Sequence, residues 1–168
     1  EMIDTYVCVS LGIKERLVSY GIPSDRIFSM TIPMPHEKTL KRTHSLKKAE
    51  VIRLGYAGRL EVFEKRMDVM PQLIQELENR NIKYILEIAG AGSYDQVLKD
   101  FIQEKDIEDH VHLIGQLPRE EMPKFWQHQD IALNVSDNEG RPISNMEAML
   151  NGTIPVATET IGILDDVH

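Results

Sequence analysis

The feature of the sequence that most constrains its fold is a regular alternation of short apolar runs with amphipathic helical patterns. From residue 51 onward, each run is nearly continuous in apolar residues instead of alternating with polar ones. Strands have this pattern when crossover helices cover both faces of their sheet. The sequence therefore predicts a doubly wound, mostly parallel α/β sheet of at least five strands. The predicted strands are residues 51–57, 84–89, 111–114, 131–135 and 154–157, and the predicted helices are residues 68–80, 94–105, 119–127 and 142–150.

A shorter β-α-β pattern precedes this sheet. Predicted strands at residues 6–9 and 26–30 flank a helix at residues 14–20, which the sequence Gly21-Ile22-Pro23 ends. Residues 33–48 then lose all periodicity and contain two prolines and five Lys or Arg residues, which predicts a linker with a solvated charged surface. The predicted divisions are the β-α-β unit with the start of the linker (1–35), the linker (36–50) and the main sheet (51–168).

Composition and charge exclude two classes of protein. Hydrophobic residues make up 42% and charged residues 27% of the 168 residues, which is the balance of a globular protein and excludes disorder along the whole chain. The formal net charge is −8 and no basic tract offsets it, so we expect no binding to a nucleic-acid backbone.

Several features predict a cytoplasmic protein. Cys8 is the only cysteine, so no internal disulfide can form, as is usual in a reducing compartment. No apolar stretch approaches the roughly 18–20 residues of a membrane-spanning helix. No signal-peptide pattern opens the chain, and a first residue Glu1 instead of Met predicts a piece of a longer protein.

Ligands of doubly wound sheets bind at the carboxyl ends of the strands, near the point where the strand order reverses. The loop after residues 51–57 begins with Gly58, which allows a turn, and places Arg59 and Lys65 before the next helix. Two cations beside a helix N-terminus can bind a diphosphate. The alternative is a solvated charged loop in which Glu61 and Glu64 pair with the cations.

Two other patterns that could carry chemistry are incomplete. The segment Gly90-Ala91-Gly92-Ser93 follows a strand, as in dinucleotide-binding folds, but Asp95 occupies the place of the third glycine. A tight turn with Ser93 as the helix cap is the better interpretation. His110 and His112 share one face of a strand, but no third ligand lies at a recognisable spacing, so no metal site is expected.

The loop and helix at residues 136–149 carry the strongest pattern. Pro142 suits the first helical position, so the free amides of residues 140–143 face the region beyond the strand. Glu147 interrupts an inward-facing apolar stripe, where a carboxylate is costly unless it is hydrogen-bonded. Its partner is a ligand or, as the alternative, a nearby backbone amide, and Glu139 at the mouth of the helix favours the ligand. The other members of the stripe are Ile143, Met146 and Leu150.

These residues resemble a known family. The stretch Glu139-Gly140-x-Pro142 … Glu147-Ala148-Met149-x-x-Gly152-x-x-Pro155-Val156 is similar to the EX7E signature of retaining, family-four glycosyltransferases with the GT-B fold. The Gly58-Arg59 … Lys65 loop resembles the diphosphate clamp of that family, and residues 86–92, 112–117 and 130–136 follow in the family's order. The resemblance implies that residues 51–167 form the Rossmann-like, C-terminal donor-binding half of a GT-B fold. Residues 6–35 resemble the end of its N-terminal acceptor domain.

The resemblance also implies a role for each site residue. Arg59 and Lys65 would bind the donor diphosphate, Glu147 would hold the ribose hydroxyls, and Glu139 would contact the transferred sugar as the catalytic residue. The amides of residues 140–143 would contact phosphate and sugar, and the loop 115–117 would border the nucleobase. A helix N-terminus and two cations can neutralise a leaving diphosphate, so no obligatory metal or other cofactor is expected. The implied donor-binding set is Gly58, Arg59, Lys65, Gln116, Leu117, Gly140, Arg141, Pro142, Ile143 and Glu147.

The chain departs from the family pattern at two places. Arg66 follows the clamp lysine where the family often has glycine. Arg141-Pro142 stands where the family often has Phe-Gly, which leaves the identity of the sugar open.

The function implied by the resemblance is retaining transfer of a hexose-type sugar from a UDP- or GDP-sugar to a glycan or lipid-linked acceptor, in bacterial polysaccharide biosynthesis. Two alternatives remain: a GT-B-like sugar-nucleotide epimerase and a nucleotide-binding domain without catalysis. The Glu139–Glu147 spacing favours the transferase over the epimerase. Because most of the acceptor domain is expected outside this chain, we expect the isolated chain to be inactive. Contact with the acceptor, or with a membrane surface, is expected only through that domain.

Overall fold

The computed structural model describes residues 4–30, 32–34 and 51–163. The described residues form two sheets in which the paired strands are parallel. The predicted linker at residues 36–50 lies outside the described residues. In chain order, the elements are β1 (Tyr6–Cys8), α1 (Leu11–Ser19), β2 (Ile27–Ser29), β3 (Ile52–Ala57), α2 (Met70–Asn79), β4 (Tyr84–Ala89), α3 (Asp95–Lys105), β5 (Val111–Gly115), α4 (Met122–Gln127), β6 (Ile131–Asn134), α5 (Ile143–Leu150) and β7 (Ile154–Ala157).

The smaller sheet pairs β1 with β2, and α1 connects the two strands. α1 begins at Leu11, earlier than predicted, because Ser10 occupies the N-cap position. The Ser10 hydroxyl accepts a hydrogen bond from the Ile13 amide at 3.2 Å, which satisfies one of the unpaired donors of the first turn. The N-terminal residues thus form a β-α-β unit.

The larger sheet has five parallel strands in the order β5-β4-β3-β6-β7. The chain proceeds from β3 outward to β4 and β5 on one side, and then returns to place β6 and β7 on the other. The strand order therefore reverses between β3 and β6. The predicted doubly wound parallel sheet is confirmed, and this reversal is the usual position of a ligand in such folds.

Helices pack against both faces of the larger sheet, as the continuous apolar runs predict. Successive strand residues point to opposite faces, and β3, β4 and β6 accordingly contribute to two hydrophobic clusters. The cluster that includes α2 and α3 has as its buried members Leu54, Tyr56, Met70, Ile74, Leu86, Ile88, Leu98 and Ile102, among others. The cluster that includes α4 and α5 has as its buried members Ala89, Phe125, Trp126, Ala132 and Ala148.

The glycines after β4 allow two loop backbones to come close together. A Cβ atom on Gly90, whose φ is +151°, would lie 1.9 Å from the Gly58 carbonyl oxygen, and one on Gly92 would lie 2.3 Å from that of Leu60. The predicted tight turn is confirmed, but Ser93 as a helix cap is wrong. α3 begins at Asp95, and the Ser93 hydroxyl instead donates to Glu61 at 2.5 Å.

Two absences can be stated for residues 4–30, 32–34 and 51–163. None of their helices is both long and apolar enough to span a membrane. Their His, Cys, Asp and Glu side chains form no group of three or more that could hold a metal ion. His110 lies directly before β5, and its Nε2 lies 2.9 Å from a carboxylate oxygen of Glu78, which gives it a structural partner.

Candidate functional site

The loops that follow β3 and β6 meet where the strand order reverses. The Asp137 amide donates a hydrogen bond to the Glu64 carbonyl at 2.9 Å, and two ion pairs join side chains of the same loops. Residues predicted for the diphosphate clamp and for the sugar contact are therefore brought together at one edge of the sheet.

Lys65 and Glu139 form a nearly buried ion pair between these loops. The Lys65 ammonium donates to Oε1 of Glu139 at 2.5 Å, and the two side chains are only 20% and 10% exposed. Tyr56 lies beside them, and its hydroxyl donates to the Arg59 carbonyl at 3.0 Å. Burial raises the pKa of Tyr56, and the negative charge of Glu139 raises it further. The edge thus has a cation, a carboxylate and a phenol in close proximity.

Arg59 has a different partner from Lys65. Its guanidinium donates to Glu64 at 3.0 Å, and its side chain is 64% exposed at the rim of the site. The alternative in which loop carboxylates pair with the cations is confirmed for Glu64. It is wrong for Glu61, which accepts hydrogen bonds from the amide and hydroxyl of Ser93. These bonds lower the pKa of Glu61.

Arg66 adopts a backbone conformation that usually requires glycine. Its φ of 49° and ψ of 41° are left-handed, which explains why glycine is frequent at this position of the resembled family. The side chain forms compensating bonds: Nη1 donates to both carboxylate oxygens of Asp137 at 2.9 and 2.8 Å, and Nε donates to Asp68 at 3.1 Å. Arg66 therefore ties the loop after β3 to the loop after β6.

We expect Arg66→Gly to be more stable than Arg66→Ala by about 1 kcal/mol, because both variants lose the same ion pairs and only glycine avoids the left-handed backbone strain. Urea denaturation of the two variants, monitored by circular dichroism, measures the difference in unfolding free energy. An alanine variant at least as stable as the glycine variant would contradict the assigned backbone conformation.

Glu147 projects from α5 without a hydrogen bond of normal geometry to any described residue. Its side chain is half-buried, and burial raises its pKa. The indole N–H of Trp126 and the guanidinium of Arg119 act against that rise. The Trp126 indole N–H is itself buried without a hydrogen-bond acceptor among the described residues. No backbone amide of the described residues donates to the Glu147 carboxylate, so the predicted amide cap is not observed, and the polar groups that act on the carboxylate are the Trp126 indole and Arg119.

The predicted apolar stripe of α5 is partly wrong. Met146 is buried, but Ile143 is 49% exposed and Leu150 is 39% exposed. The helix instead buries Asn145, Met146 and Ala148, so Glu147 lies at the border of the buried face. Pro142 occupies the N-cap position instead of the predicted first helical position. The Asn145 amide already donates to the Pro142 carbonyl at 3.2 Å, so only the amides of Ile143 and Ser144 remain without an acceptor among the described residues of this turn.

The loop that is predicted to border the nucleobase follows β5. Gly115 has a φ of +74° and turns the chain, Gln116 is exposed, and Leu117 packs against the cluster that contains Trp126. Arg119 follows this loop and is close enough to Glu147 to influence its pKa. The sequence alone does not indicate this proximity, because Arg119 and Glu147 lie far apart in the chain.

Gly140 and Arg141 contact the N-terminal β-α-β unit. A Cβ atom on Gly140 would lie 3.5 Å from Ile13 and 3.6 Å from Val9. The Arg141 guanidinium donates to the Val9 carbonyl at 3.5 Å. On the other side, the Gly162 amide donates to the Glu139 carbonyl at 3.0 Å, which fixes the backbone of this loop. Arg141 is therefore engaged with the N-terminal unit.

A separate cavity of about 240 Å³ lies between the larger sheet and α4. It carries cationic and anionic side chains without an evident preference for one ligand charge. Its lining residues are Arg53, Glu87, Leu117, Glu121, Lys124, Phe125 and His128.

Comparison with known proteins identifies the family. The sequence model described as "Glycosyl transferases group 1" matches residues 37–168. The chain belongs to this family. It is 30% identical over 157 residues to the amylovoran biosynthesis glycosyltransferase AmsK of Erwinia amylovora, and the match covers 89% of the chain and 38% of AmsK.

Solved structures share the fold of this family member. The chain superposes on the apo form of the lipopolysaccharide outer core galactosyltransferase WaaB with a TM-score of 0.74 and 24% identity, over 92% of the chain and 43% of WaaB. It superposes on Anabaena HepE in complex with UDP-glucose with a TM-score of 0.77 and 16% identity, over 98% of the chain and 47% of HepE. The fold is thus the Rossmann-like α/β fold of GT-B glycosyltransferases, and the chain spans less than half the length of these proteins.

Proposed function

We propose that this chain is the donor-binding part of a retaining glycosyltransferase that transfers a hexose-type sugar from a nucleoside-diphosphate sugar to a glycan or lipid-linked acceptor. The observation that carries the proposal is the ion pair of Lys65 with Glu139, which joins the loop after β3 to the loop that leads into α5, where the strand order reverses. Family membership supports it, and HepE, a protein of the same fold, has been solved with UDP-glucose.

Each part of the donor has a chemically suited partner in this arrangement. Lys65, Arg59 and the first amides of α5 are donors for the diphosphate. The half-buried carboxylate of Glu147 can accept hydrogen bonds from the ribose hydroxyls. Glu139 can accept them from the hydroxyls of the sugar, and Gln116 and Leu117 border the nucleobase. Under this proposal the EX7E pattern spaces the two carboxylates along one loop and helix.

The same groups would assist the chemical step. When the bond between the sugar and the diphosphate breaks, negative charge grows on the diphosphate. Donors that are already fixed by the fold stabilise that charge without further reorganisation. The helix N-terminus and the cations supply this stabilisation from the chain's own residues, so the proposal includes no metal.

Membership in the glycosyltransferase family favours the transferase over a sugar-nucleotide epimerase and over a nucleotide-binding domain without catalysis. Because the chain spans less than half of its relatives, we propose that the acceptor binds mainly to the remainder of the full-length protein.

A nucleotide panel tests the proposed function. Isothermal titration of the 168-residue chain with UDP, GDP and ADP, and with their glucose conjugates, should reveal binding of one base in preference to the others. The chain alone should transfer no labelled sugar to any acceptor. Failure of all three nucleotides to bind would overturn the donor-binding proposal, and sugar transfer by the pure chain would show that the acceptor site is already present.

A further inference from the structure

The ion pair between Lys65 and Glu139 occupies both groups that the donor would need. Lys65 donates to Glu139 at 2.5 Å, and neither side chain has another hydrogen bond within the described part of the chain. Only a tenth of the Glu139 side chain is exposed, so water can solvate its charge only in part. A ligand that binds the Lys65 ammonium must therefore also supply a new partner for the Glu139 carboxylate.

The surrounding structure fixes the backbone of the loop that carries Glu139. Gly162 donates to the Glu139 carbonyl at 3.0 Å, and Asp137 on the same loop is fixed by Arg66 and by the Glu64 carbonyl. The nearby Tyr56 hydroxyl already donates its proton to the Arg59 carbonyl at 3.0 Å. If a diphosphate takes the Lys65 ammonium, Glu139 loses its counter-charge and lies close to the added negative charges. A nearly buried carboxylate without a partner is strongly unfavourable.

We propose that the Lys65–Glu139 ion pair makes this protein discriminate between the complete sugar nucleotide and the nucleoside diphosphate alone. This inference rests on the proposed function. The diphosphate binds the Lys65 ammonium, and the sugar hydroxyls replace Lys65 as the hydrogen-bond donors to Glu139. The complete donor therefore satisfies both groups. A nucleoside diphosphate satisfies only Lys65, so the ion pair competes with it and favours its release after the sugar has been transferred.

Glu139→Gln tests this inference because it removes the charge and keeps the shape of the side chain. We expect the variant to bind UDP about tenfold more tightly than the wild type does, within the usual range of coupling between sites. We expect its preference for UDP-glucose over UDP to fall by a similar factor. If the panel selects guanine, GDP and GDP-glucose replace this pair. Isothermal titration gives the four dissociation constants.

Two further variants make the test specific. Glu76→Gln makes the same change in net charge on α2, where Glu76 pairs with Arg80, and should leave both affinities within about twofold of wild type. Glu139→Asp keeps the competing charge and should not tighten UDP binding. Thermal unfolding shows whether each variant is folded. If Glu139→Gln does not fold, the test is made on the wild type, which must bind UDP-glucose at least about tenfold more tightly than UDP.

The outcomes separate this inference from the proposed function. A wild-type chain that binds no nucleotide overturns the proposed function. A wild-type chain that binds UDP, with a Glu139→Gln variant that binds it equally or more weakly, overturns only the discrimination by the ion pair.

Discussion

Replacing Lys65 with methionine should weaken nucleoside diphosphate binding by about 1.5–3 kcal/mol, the usual contribution of a hydrogen bond to a charged group, which is roughly 10- to 150-fold in affinity. The variant should also lower the free energy of unfolding, because it leaves the nearly buried Glu139 without its counter-charge. Arg59→Ala should also weaken nucleoside diphosphate binding, but by less, because Arg59 lies at the exposed rim of the site.

The loss of affinity in Lys65→Met should depend on the phosphates of the ligand. Titration of the Lys65→Met variant with the nucleoside alone should give nearly wild-type affinity, because the nucleoside does not reach the ammonium. Lys83→Met is a suitable control, since it removes the same charge from an exposed position directly before β4. An equal loss for the nucleoside and its diphosphate would contradict the assignment of Lys65 to the diphosphate.

Glu147→Gln should lower nucleotide affinity by roughly tenfold or more, because an amide accepts a weaker hydrogen bond from ribose than a carboxylate does. The stability of the unliganded protein should not fall. In the wild type the carboxylate is half-buried without a hydrogen bond of normal geometry to the described residues, so glutamine removes a desolvated charge. Titration and thermal unfolding on the same variant give both quantities.

The raised pKa of Glu147 adds a dependence on pH. Because the folded protein binds this proton more tightly than the unfolded chain does, the charged carboxylate destabilises the fold as pH rises through the raised pKa. Glu147→Gln should therefore be stabilised relative to wild type at neutral pH, and the difference should vanish below the ordinary pKa of glutamate. The nucleotide affinity of the wild type should approach that of the variant as pH falls, because a protonated Glu147 can no longer form a charge-assisted hydrogen bond with the ribose.

An exposed glutamate provides the control for this variant. Glu104→Gln on α3 makes the same change in charge and should alter neither stability nor affinity. A marked loss of stability in Glu147→Gln with intact nucleotide affinity would place Glu147 in the fold instead of the site.

The fold could be predicted from the sequence because most residues of the central strands β3, β4 and β6 are buried or partly buried, although Ile154 and Val156 of β7 are exposed. The bounds predicted from the apolar runs match those observed for β4 (Tyr84–Ala89) and β7 (Ile154–Ala157). Errors occurred where a single side chain decides a boundary. α1 begins earlier than predicted because Ser10 caps it, and Ser93 fails to cap α3 because Glu61 from another loop binds its hydroxyl. Neither choice of partner is visible in local periodicity.

The candidate site could be predicted only in part, because its main contacts join residues far apart in the chain. The partner of Arg59 is Glu64 in the same loop, a pairing that the short separation of the two residues already indicates. The pairing of Lys65 with Glu139 depends on the adjacency of β3 and β6, which only the sheet order supplies. The apolar run indicates that Tyr56 is a core residue, which its burial confirms, but not that its hydroxyl lies beside this ion pair.

The most direct test of the central claim, that the donor binds where the strand order reverses, is nuclear magnetic resonance of the isotopically labelled chain during titration with the nucleoside diphosphate that the panel selects. The amide resonances of Gly58, Gln116, Gly140 and Ile143 should shift most. Amides around the cavity between the sheet and α4, such as those of Arg53 and His128, should shift little. Shifts confined to that cavity, or none at saturating nucleotide, would contradict the account.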